Sequence, residues 1–219
     1  MCYNLHCDIM KKEIANKIIE TLSKTYPDAE TALEFNSNYE LLVAVVLSAQ
    51  CTDKRVNIVT KELFKNYNTP EKMVTLSQEE LEEYIHSCGF YRAKAKHILS
   101  ASRDILDRYN GEVPSTVEEL QTLAGVGRKT ANVVYSVGFG GQAIAVDTHV
   151  FRVANRLGLA KAKDPYHTEL QLNKVIDKNS WRHAHHFLIH HGREVCHARK
   201  PDCENCSVKD LCNFYYKNK

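Results

Sequence analysis

The chain has 219 residues, 43% of them hydrophobic, a composition that can bury a real core and excludes a disordered protein. Its formal net charge of +2 neither requires nor excludes a nucleic-acid partner, because binding to phosphate depends on where the charges lie. The longest apolar run, residues 41–47, is too short to span a bilayer and predicts a buried core helix, so we expect no membrane role. The N-terminus lacks an apolar stretch of signal-peptide length, which predicts a cytoplasmic protein.

Apolar residues recur at helical spacing along nearly the whole chain, for example at Ile18, Ile19 and Leu22. No segment alternates cleanly between apolar and polar residues, as a half-buried strand would. The sequence therefore predicts an all-α protein. Two capping-box patterns predict helix starts, at Ser77 to Glu80 and at Ser115 to Glu118. Two glycines, Gly111 and Gly158, predict helix ends.

The segment LAGVGRKTANVV, residues 123–134, follows one amphipathic helix and opens the next. Gly125 and Gly127 flank Val126 and permit a tight turn, and the following helix begins there with the positive end of its dipole. Such a hairpin can bind a phosphate through backbone N–H groups without reading base sequence. A simple turn between two helices also favours glycine, and Gly-x-Gly by itself leaves the two interpretations even.

The three residues after this turn, Arg128, Lys129 and Thr130, favour the phosphate-binding interpretation. Basic side chains are unfavourable at a helix start unless an anion is bound there. Lys129 is also a candidate nucleophile, since the charge of Arg128 and the helix dipole both favour its neutral amine. A lysine in this position more commonly contacts phosphate as a point charge, so both roles stay open.

The segment AVDTHVFRVANRLGL, residues 145–159, predicts a helix whose natural N-cap is Asp147. Capping alone would explain this aspartate. A catalytic role needs a partner, and Lys129 would supply one if the two helices meet in a cleft, with an amine beside a carboxylate. Arg152 and Arg156 share one face of the helix and are predicted either to bind phosphate or to form surface ion pairs.

The eight cysteines divide into a scattered group and a crowded group. The scattered cysteines are expected to act as small buried hydrophobes, with the first two on an N-terminal tail; they are Cys2, Cys7, Cys51 and Cys88. The crowded group has the spacing C-x6-C-x2-C-x5-C, which indicates metal ligation in a reducing compartment; it consists of Cys196, Cys203, Cys206 and Cys212.

This spacing favours a [4Fe-4S] cluster over zinc, because structural zinc sites more often use two C-x2-C pairs and only one is present. Cysteines without a metal are the third alternative. Arg199 and Lys200 lie between the first two ligands. A metal-bound loop would therefore present positive charge outward, as a phosphate-binding finger would.

Together these segments closely resemble the endonuclease III family of DNA repair enzymes. The shared motifs follow the family's order over nearly the whole chain from about Ile9 onward; they are LSAQCTDKRVN, LAGVGRKTA, VDTHVFRV, HHGREVC and the cysteine spacing. One departure is Ala124, where the family usually has proline. Because the hairpin glycines and Lys129 are retained, we expect a slightly less rigid turn and no loss of function.

The resemblance implies an all-α fold of two helical lobes, the helix-hairpin-helix glycosylase fold. A central helical barrel with the hairpin is expected over residues 32–141. Residues 1–31 and 142–219 are expected to form the second lobe, which carries the cysteine loop and its [4Fe-4S] cluster. A cleft between the lobes is expected to hold Lys129 and Asp147.

The resemblance also implies roles for single residues. Lys129 matches the family's Schiff-base lysine, Asp147 its catalytic aspartate, and the four crowded cysteines its cluster ligands. Gln50 and Phe90 fall where the family inserts side chains into the duplex when a nucleotide is everted, although core packing would also explain Phe90. The full set of predicted DNA-contacting residues is Gln50, Phe90, Gly125, Val126, Gly127, Arg128, Thr130, Arg152, Arg199 and Lys200.

The function implied is a bifunctional DNA glycosylase and abasic-site lyase of base excision repair. It is expected to act as a monomer on damaged double-stranded DNA of the nucleoid, to remove oxidised pyrimidines and to cut by β-elimination through a lysine Schiff base. A non-catalytic helix-hairpin-helix module would not explain the Lys129 and Asp147 pair. Single-function glycosylases for mismatched adenine or thymine typically have serine or tyrosine at the Lys129 position, and an electron carrier would explain only the cysteines.

Overall fold

The computed structural model describes the backbone of residues 2–217 and the side chains of residues 11–217. Every regular element in this range is a helix, which confirms the predicted all-α class. The first helix, α1, is Cys2–Thr25, but the expectation about the Cys2 and Cys7 side chains lies outside the described residues. The described residues form two compact units, one of them Ala32–Gly141 and the other residues 2–31 with 142–217.

The unit 32–141 is built from seven α-helices and a terminal π-helical turn. The α-helices are α2 Asn38–Ser48, α3 Asp53–Leu63, α4 Pro70–Met73, α5 Gln78–Ile85, α6 Tyr91–Tyr109, α7 Val117–Leu120 and α8 Arg128–Val133, and the π-helix is Val134–Gly138. Residues 41–47, the predicted core helix, lie in α2 and are all buried. Each large apolar side chain of this run stabilises the fold by roughly 1.5–3 kcal/mol when fully buried.

The observed starts of α5 and α7 can be compared with the two capping boxes predicted from the sequence. Ser77 and Glu80 form a complete capping box at the start of α5, as predicted. The predicted cap at Ser115 is wrong by one residue, because Thr116 is the N-cap of α7 and accepts a hydrogen bond from the Glu119 backbone N–H. Starting the helix after Thr116 places Leu120, which is fully buried, at the end of the first turn.

The second unit consists of α1 and the C-terminal helices. These are α9 Thr148–Leu157, α10 Pro165–Val175, α11 Trp181–Glu194, α12 Asn213–Lys217 and the 3₁₀ turns Lys178–Ser180 and Lys209–Leu211. Buried residues of α9 recur at helical spacing, and α9 packs against both α10 and α11. Gly158 ends α9 in the left-handed region at φ 89°, which confirms the predicted stop.

None of the helices in the described part of the chain combines the length and the apolar character needed to cross a membrane.

Candidate functional site

The predicted hairpin connects α7 to α8 through a turn that is fixed from inside. Leu123 and Val126 are buried, and the Val126 backbone N–H donates to the Leu123 carbonyl at 3.1 Å. Gly125 lies in the left-handed region at φ 75°, and a Cβ added there would come within 2.8 Å of the His97 side chain on α6. This position therefore requires glycine both for its backbone conformation and for its close packing.

The outward face of the hairpin has the features of an anion-binding site. Gly127 is the N-cap of α8, makes no side-chain cap, and would place an added Cβ in open space. Arg128 and Lys129 are exposed and Thr130 is half-buried. A helix start with backbone N–H groups beside two exposed basic side chains suits a phosphate.

Asp147 occupies the N-cap of α9, and its Oδ1 atom accepts a hydrogen bond from the Val150 backbone N–H at 2.8 Å. The cap interpretation from the sequence is therefore confirmed. The cap uses only one carboxylate oxygen, so capping and a catalytic role are compatible. Asp147 and Lys129 belong to different units of the chain, and their pairing stays a prediction.

Gln50 and Phe90, the two predicted duplex-inserting residues, share an uncommon backbone conformation. Both are exposed, Phe90 to 67%, and both have a left-handed backbone, with φ 53° at Gln50 and φ 57° at Phe90. A left-handed non-glycine residue costs on the order of 1–3 kcal/mol and is found where the surrounding structure enforces it. The exposure of Phe90 rules out core packing as the explanation for this residue.

The turns that carry these two residues lie against each other within the unit 32–141. A Cβ added at Gly89 would lie 3.1 Å from the Gln50 carbonyl oxygen. Cys51 and Cys88, the neighbours of Gln50 and Gly89, are also near each other, close enough for Cys51 to act on the pKa of Cys88. Burial, and then Cys51, raises the pKa of Cys88 to about 11. Cys88 is buried as predicted, whereas Cys51 is only partly buried.

The cysteine loop is fastened to α9 by two arginines. Arg152 donates from Nε to the Cys196 carbonyl at 3.0 Å and from Nη2 to the Gly192 carbonyl at 2.8 Å. Arg156 donates to the carbonyls of His197 at 2.6 Å and Ala198 at 3.0 Å. The bonds to Cys196, His197 and Ala198 anchor the loop, and the bond to Gly192 joins α9 to α11. The phosphate contact of Arg152 stays a prediction.

The four crowded cysteines line one small cavity of the second unit. Burial raises the pKa of Cys206 to about 11, and the positive charge of a bound metal would favour the thiolate form of this ligand. Among the described side chains, no three His, Cys, Asp or Glu are grouped closely enough to hold a single metal ion. The donor set, four cysteine sulfurs around one cavity, fits an iron-sulfur cluster.

The tip of the cysteine loop presents the predicted positive charge. The Asp202 backbone N–H donates to the Val195 carbonyl at 3.0 Å and closes the loop at its base. Arg199 and Lys200 lie in this loop and are exposed, and Lys200 has a left-handed backbone at φ 51°. The geometry is suited to a phosphate contact at the surface.

Two buried polar residues near these sites were not predicted from the sequence. His191 is buried, with Nδ1 3.2 Å from the Tyr26 hydroxyl and Nε2 3.5 Å from the Cys206 sulfur. In the sequence His191 is marked only by its place in the motif HHGREVC, five residues before Cys196. Lys94 is buried as well, and no local pattern distinguished it from an exposed helix lysine.

The chain combines a helix-hairpin-helix unit that exposes a lysine with a loop of four cysteines around one cavity. These two features together define a class of DNA repair proteins that bind DNA through the hairpin and carry an iron-sulfur cluster. Residues 43–178 match the HhH-GPD superfamily of base excision DNA repair proteins, and residues 196–212 match the iron-sulfur binding domain of endonuclease III. The chain belongs to this superfamily.

Proteins named endonuclease III are similar to the chain over almost its whole length. The one from Rickettsia conorii (strain ATCC VR-613 / Malish 7) is 49% identical over 96% of this chain and 100% of its own. The one from Escherichia coli (strain K12) is 45% identical over 95% of this chain and 99% of its own. A trapped covalent intermediate of endonuclease III with DNA superposes with a TM-score of 0.89, at 47% identity, over 94% of this chain and 98% of that one.

Proposed function

We propose that this chain is a bifunctional DNA glycosylase and abasic-site lyase that uses Lys129 as its nucleophile. The observation that carries the proposal is the exposed lysine in the first turn of α8, inside the region that matches the repair superfamily. The relative that was trapped covalently on DNA supports the same chemistry, because a lysine amine can form such a bond with the sugar.

The proposed reaction has two steps. The neutral Lys129 amine attacks C1′ of the sugar, and the bond from C1′ to the base breaks as the base takes up the proton that the nitrogen loses. The C1′–O4′ bond then opens with protonation of O4′ from solvent, which leaves a protonated imine between Lys129 and C1′. The imine acidifies the C2′ proton, whose removal expels the 3′ phosphate by β-elimination. The Asp147 carboxylate stabilises the positive charge that develops on the sugar. This requires both side chains to reach the same nucleotide.

The substrate we propose is double-stranded DNA that contains oxidised pyrimidines or abasic sites. Backbone N–H groups of Gly125 to Gly127, with Arg128 and Thr130, bind phosphate on one side of the lesion, and Arg199 with Lys200 binds it elsewhere. Gln50 and Phe90 fill the space that the everted nucleotide leaves. We further propose that the chain acts as a monomer on nucleoid DNA in the cytoplasm.

The [4Fe-4S] cluster is held by the four loop cysteines and supplies structural support in this proposal. It fixes the loop that carries Arg199 and Lys200. Two side chains contact the sulfur atoms of its ligands, Arg156 that of Cys196 and His191 that of Cys206. Neither attack on C1′ nor β-elimination moves an electron to or from the cluster.

Borohydride trapping on an abasic-site duplex tests the proposal, because borohydride reduces an imine to a stable amine. The unaltered chain is expected to yield a covalent protein–DNA adduct, and Lys129→Ala to yield none while it still binds DNA. The matched control is Arg128→Ala, which removes an equal charge from the neighbouring residue. Because it removes one phosphate contact among several, it is expected to weaken binding and still yield the adduct at saturating protein. A full yield of adduct from Lys129→Ala would refute the nucleophile assignment.

A further inference from the structure

Lys94 on α6 places a charged group in the interior of the unit 32–141. The residue is only 5% exposed, and its Nζ atom donates to the Leu47 carbonyl at 2.8 Å and to the Ala49 carbonyl at 2.6 Å. Burial lowers the pKa of Lys94. Placing an ammonium group where burial disfavours its charge is costly, so the two carbonyls must compensate much of that cost.

The carbonyls that Lys94 binds belong to the end of α2, just before Gln50. A helix leaves its last carbonyls without intrahelical partners, and here several are satisfied locally. The Ser48 hydroxyl donates to the Val45 carbonyl at 2.8 Å, and the Cys51 backbone N–H donates to the Ser48 carbonyl at 3.1 Å. Lys94 supplies the bonds to Leu47 and Ala49, so its side chain fixes the backbone on the N-terminal side of Gln50.

Lys94 is also bound to the other predicted duplex-inserting residue. Phe90 is the N-cap of α6 without a side-chain cap, and the Lys94 backbone N–H donates to the Phe90 carbonyl at 3.1 Å. One residue therefore bonds to the Phe90 carbonyl through its main chain and to the turn before Gln50 through its side chain. Both turns hold a left-handed non-glycine residue, the conformation that needs enforcement from neighbours.

We propose that Lys94 is a positioning residue that holds Gln50 and Phe90 together as one rigid wedge for the duplex. The proposal rests on the proposed function, since it takes the duplex-inserting role of these two residues as given. The wedge must replace stacked bases at the moment a nucleotide leaves the helix, and a pre-ordered wedge avoids the entropy cost of ordering two turns at that step.

The first test compares two substrates in Lys94→Met, which keeps the length of the side chain and removes its donors. Excision from a lesion-containing duplex is expected to slow by about tenfold or more, the rate loss that corresponds to roughly 1.4 kcal/mol. Cleavage of a single-stranded abasic oligonucleotide, which has no base stack to fill, is expected to change by less than about twofold. The matched control is Lys96→Met, which alters an exposed lysine two residues along α6.

A spectroscopic measurement separates positioning from general destabilisation. 2-Aminopurine placed beside the lesion reports unstacking by its fluorescence, and Lys94→Met is expected to reduce the change that the unaltered chain produces at saturating protein. Lys94→Arg, which keeps a donor at this position, is expected to produce most of the fluorescence change seen with the unaltered chain. Equal losses on both substrates, or no recovery in Lys94→Arg together with normal folding, would show a merely structural lysine. If Lys94→Met does not fold, the milder Lys94→Gln takes its place in the same comparison.

A double-mutant cycle distinguishes failure of this inference from failure of the wedge role itself. The Lys94 side chain bonds to the turn before Gln50, whereas its bond to the Phe90 carbonyl is a main-chain bond that Lys94→Met keeps. Lys94→Met is therefore expected to slow the duplex reaction much less in a Gln50→Ala background than in the unaltered chain. Additive losses on the duplex would overturn the inference. If Gln50→Ala and Phe90→Ala do not slow the duplex reaction selectively, these two residues do not insert into the duplex. That result contradicts the proposed roles of Gln50 and Phe90, and the Lys94 inference with them.

Discussion

Asp147 has an observed structural role as the N-cap of α9 and a proposed chemical role in catalysis. Its Oδ1 atom caps α9, which accounts for an aspartate at this position without reference to catalysis. The same cap fixes the carboxylate, and a preorganised carboxylate is what a developing positive charge needs. A substitution that keeps the cap and removes the charge can separate the two roles.

We expect Asp147→Asn to keep the fold and lose the reaction. Asparagine caps helices about as well as aspartate, so the melting temperature should barely move. If the charge stabilises the transition state, turnover on a lesion duplex should fall by about two or more orders of magnitude. Thermal unfolding and single-turnover excision check the two parts. Near-normal turnover would leave Asp147 as a helix cap only.

Arg156 is the residue that ties the cysteine loop most directly to α9. Its guanidinium bonds to the carbonyls of His197 and Ala198, and it stacks over the Phe214 ring with 4.7 Å between Cζ and the ring centre. Arg156→Met should keep much of the packing and lose the charged hydrogen bonds. Since such bonds contribute about 1.5–3 kcal/mol each, we expect a clear fall in stability.

Chemical denaturation measures the stability of Arg156→Met, and the rate of iron loss in air reports on the loop. The loop should lose iron faster in the variant than in the unaltered chain. Lys161→Met, a change at an exposed lysine of the same unit, serves as the control. Unchanged stability and unchanged iron retention would show that Arg156 does not anchor the loop.

At the scale of elements, the hairpin before α8 and the cysteine loop are two phosphate-binding candidates of different kinds. The hairpin offers backbone N–H groups at a helix start, and the loop offers the exposed side chains of Arg199 and Lys200. Side-chain contacts of the second kind release counterions when they bind DNA, so their contribution depends on salt.

Lys200→Glu should therefore weaken binding to undamaged duplex and make that binding less sensitive to salt. The logarithm of affinity against the logarithm of salt concentration should lose about one unit of slope or more, as expected when a phosphate contact is removed. Fluorescence anisotropy over a salt series measures the slope. Lys178→Glu makes the same charge change at another exposed lysine of this unit and should have the smaller effect. Equal slopes for the unaltered chain and Lys200→Glu would exclude this contact.

For the whole molecule, the cysteine centre is expected to couple metal binding to the stability of the second unit. The four cysteines line one cavity, and Cys206 and Cys212 are packed with the hydrophobic core of that unit. Loss of one ligand should therefore loosen the loop and lower the stability of the unit around it.

We expect the purified protein to be brown and to contain iron and acid-labile sulfide in equal molar amounts. Cys203→Ser should lower the melting temperature and the iron content, while the folded fraction still forms the borohydride adduct. Metal analysis, melting curves and trapping check these three statements. Anaerobically purified protein that is colourless and carries stoichiometric zinc would overturn the cluster assignment.

Local patterns in the sequence were enough to predict the helical class, several helix boundaries and the four cysteines that would bind a metal. These features depend on residues close together in the chain: the apolar spacing of α2, the Ser77 capping box, Gly158 after α9, and four cysteines within one loop. Local periodicity, cap chemistry and ligand spacing act over a few residues, so the sequence displays them directly.

Contacts between residues far apart in the chain became visible in the folded structure and could not be predicted from local patterns. The tertiary structure bonded Lys94 to the carbonyls of Leu47 and Ala49, nearly fifty residues away, and used Arg152 to anchor the cysteine loop. It also showed that Phe90 is exposed and strained, where the sequence left core packing open. A buried lysine and a surface lysine have the same local pattern, because burial and hydrogen-bond partners depend on which helices pack together, and that packing is set by the whole core.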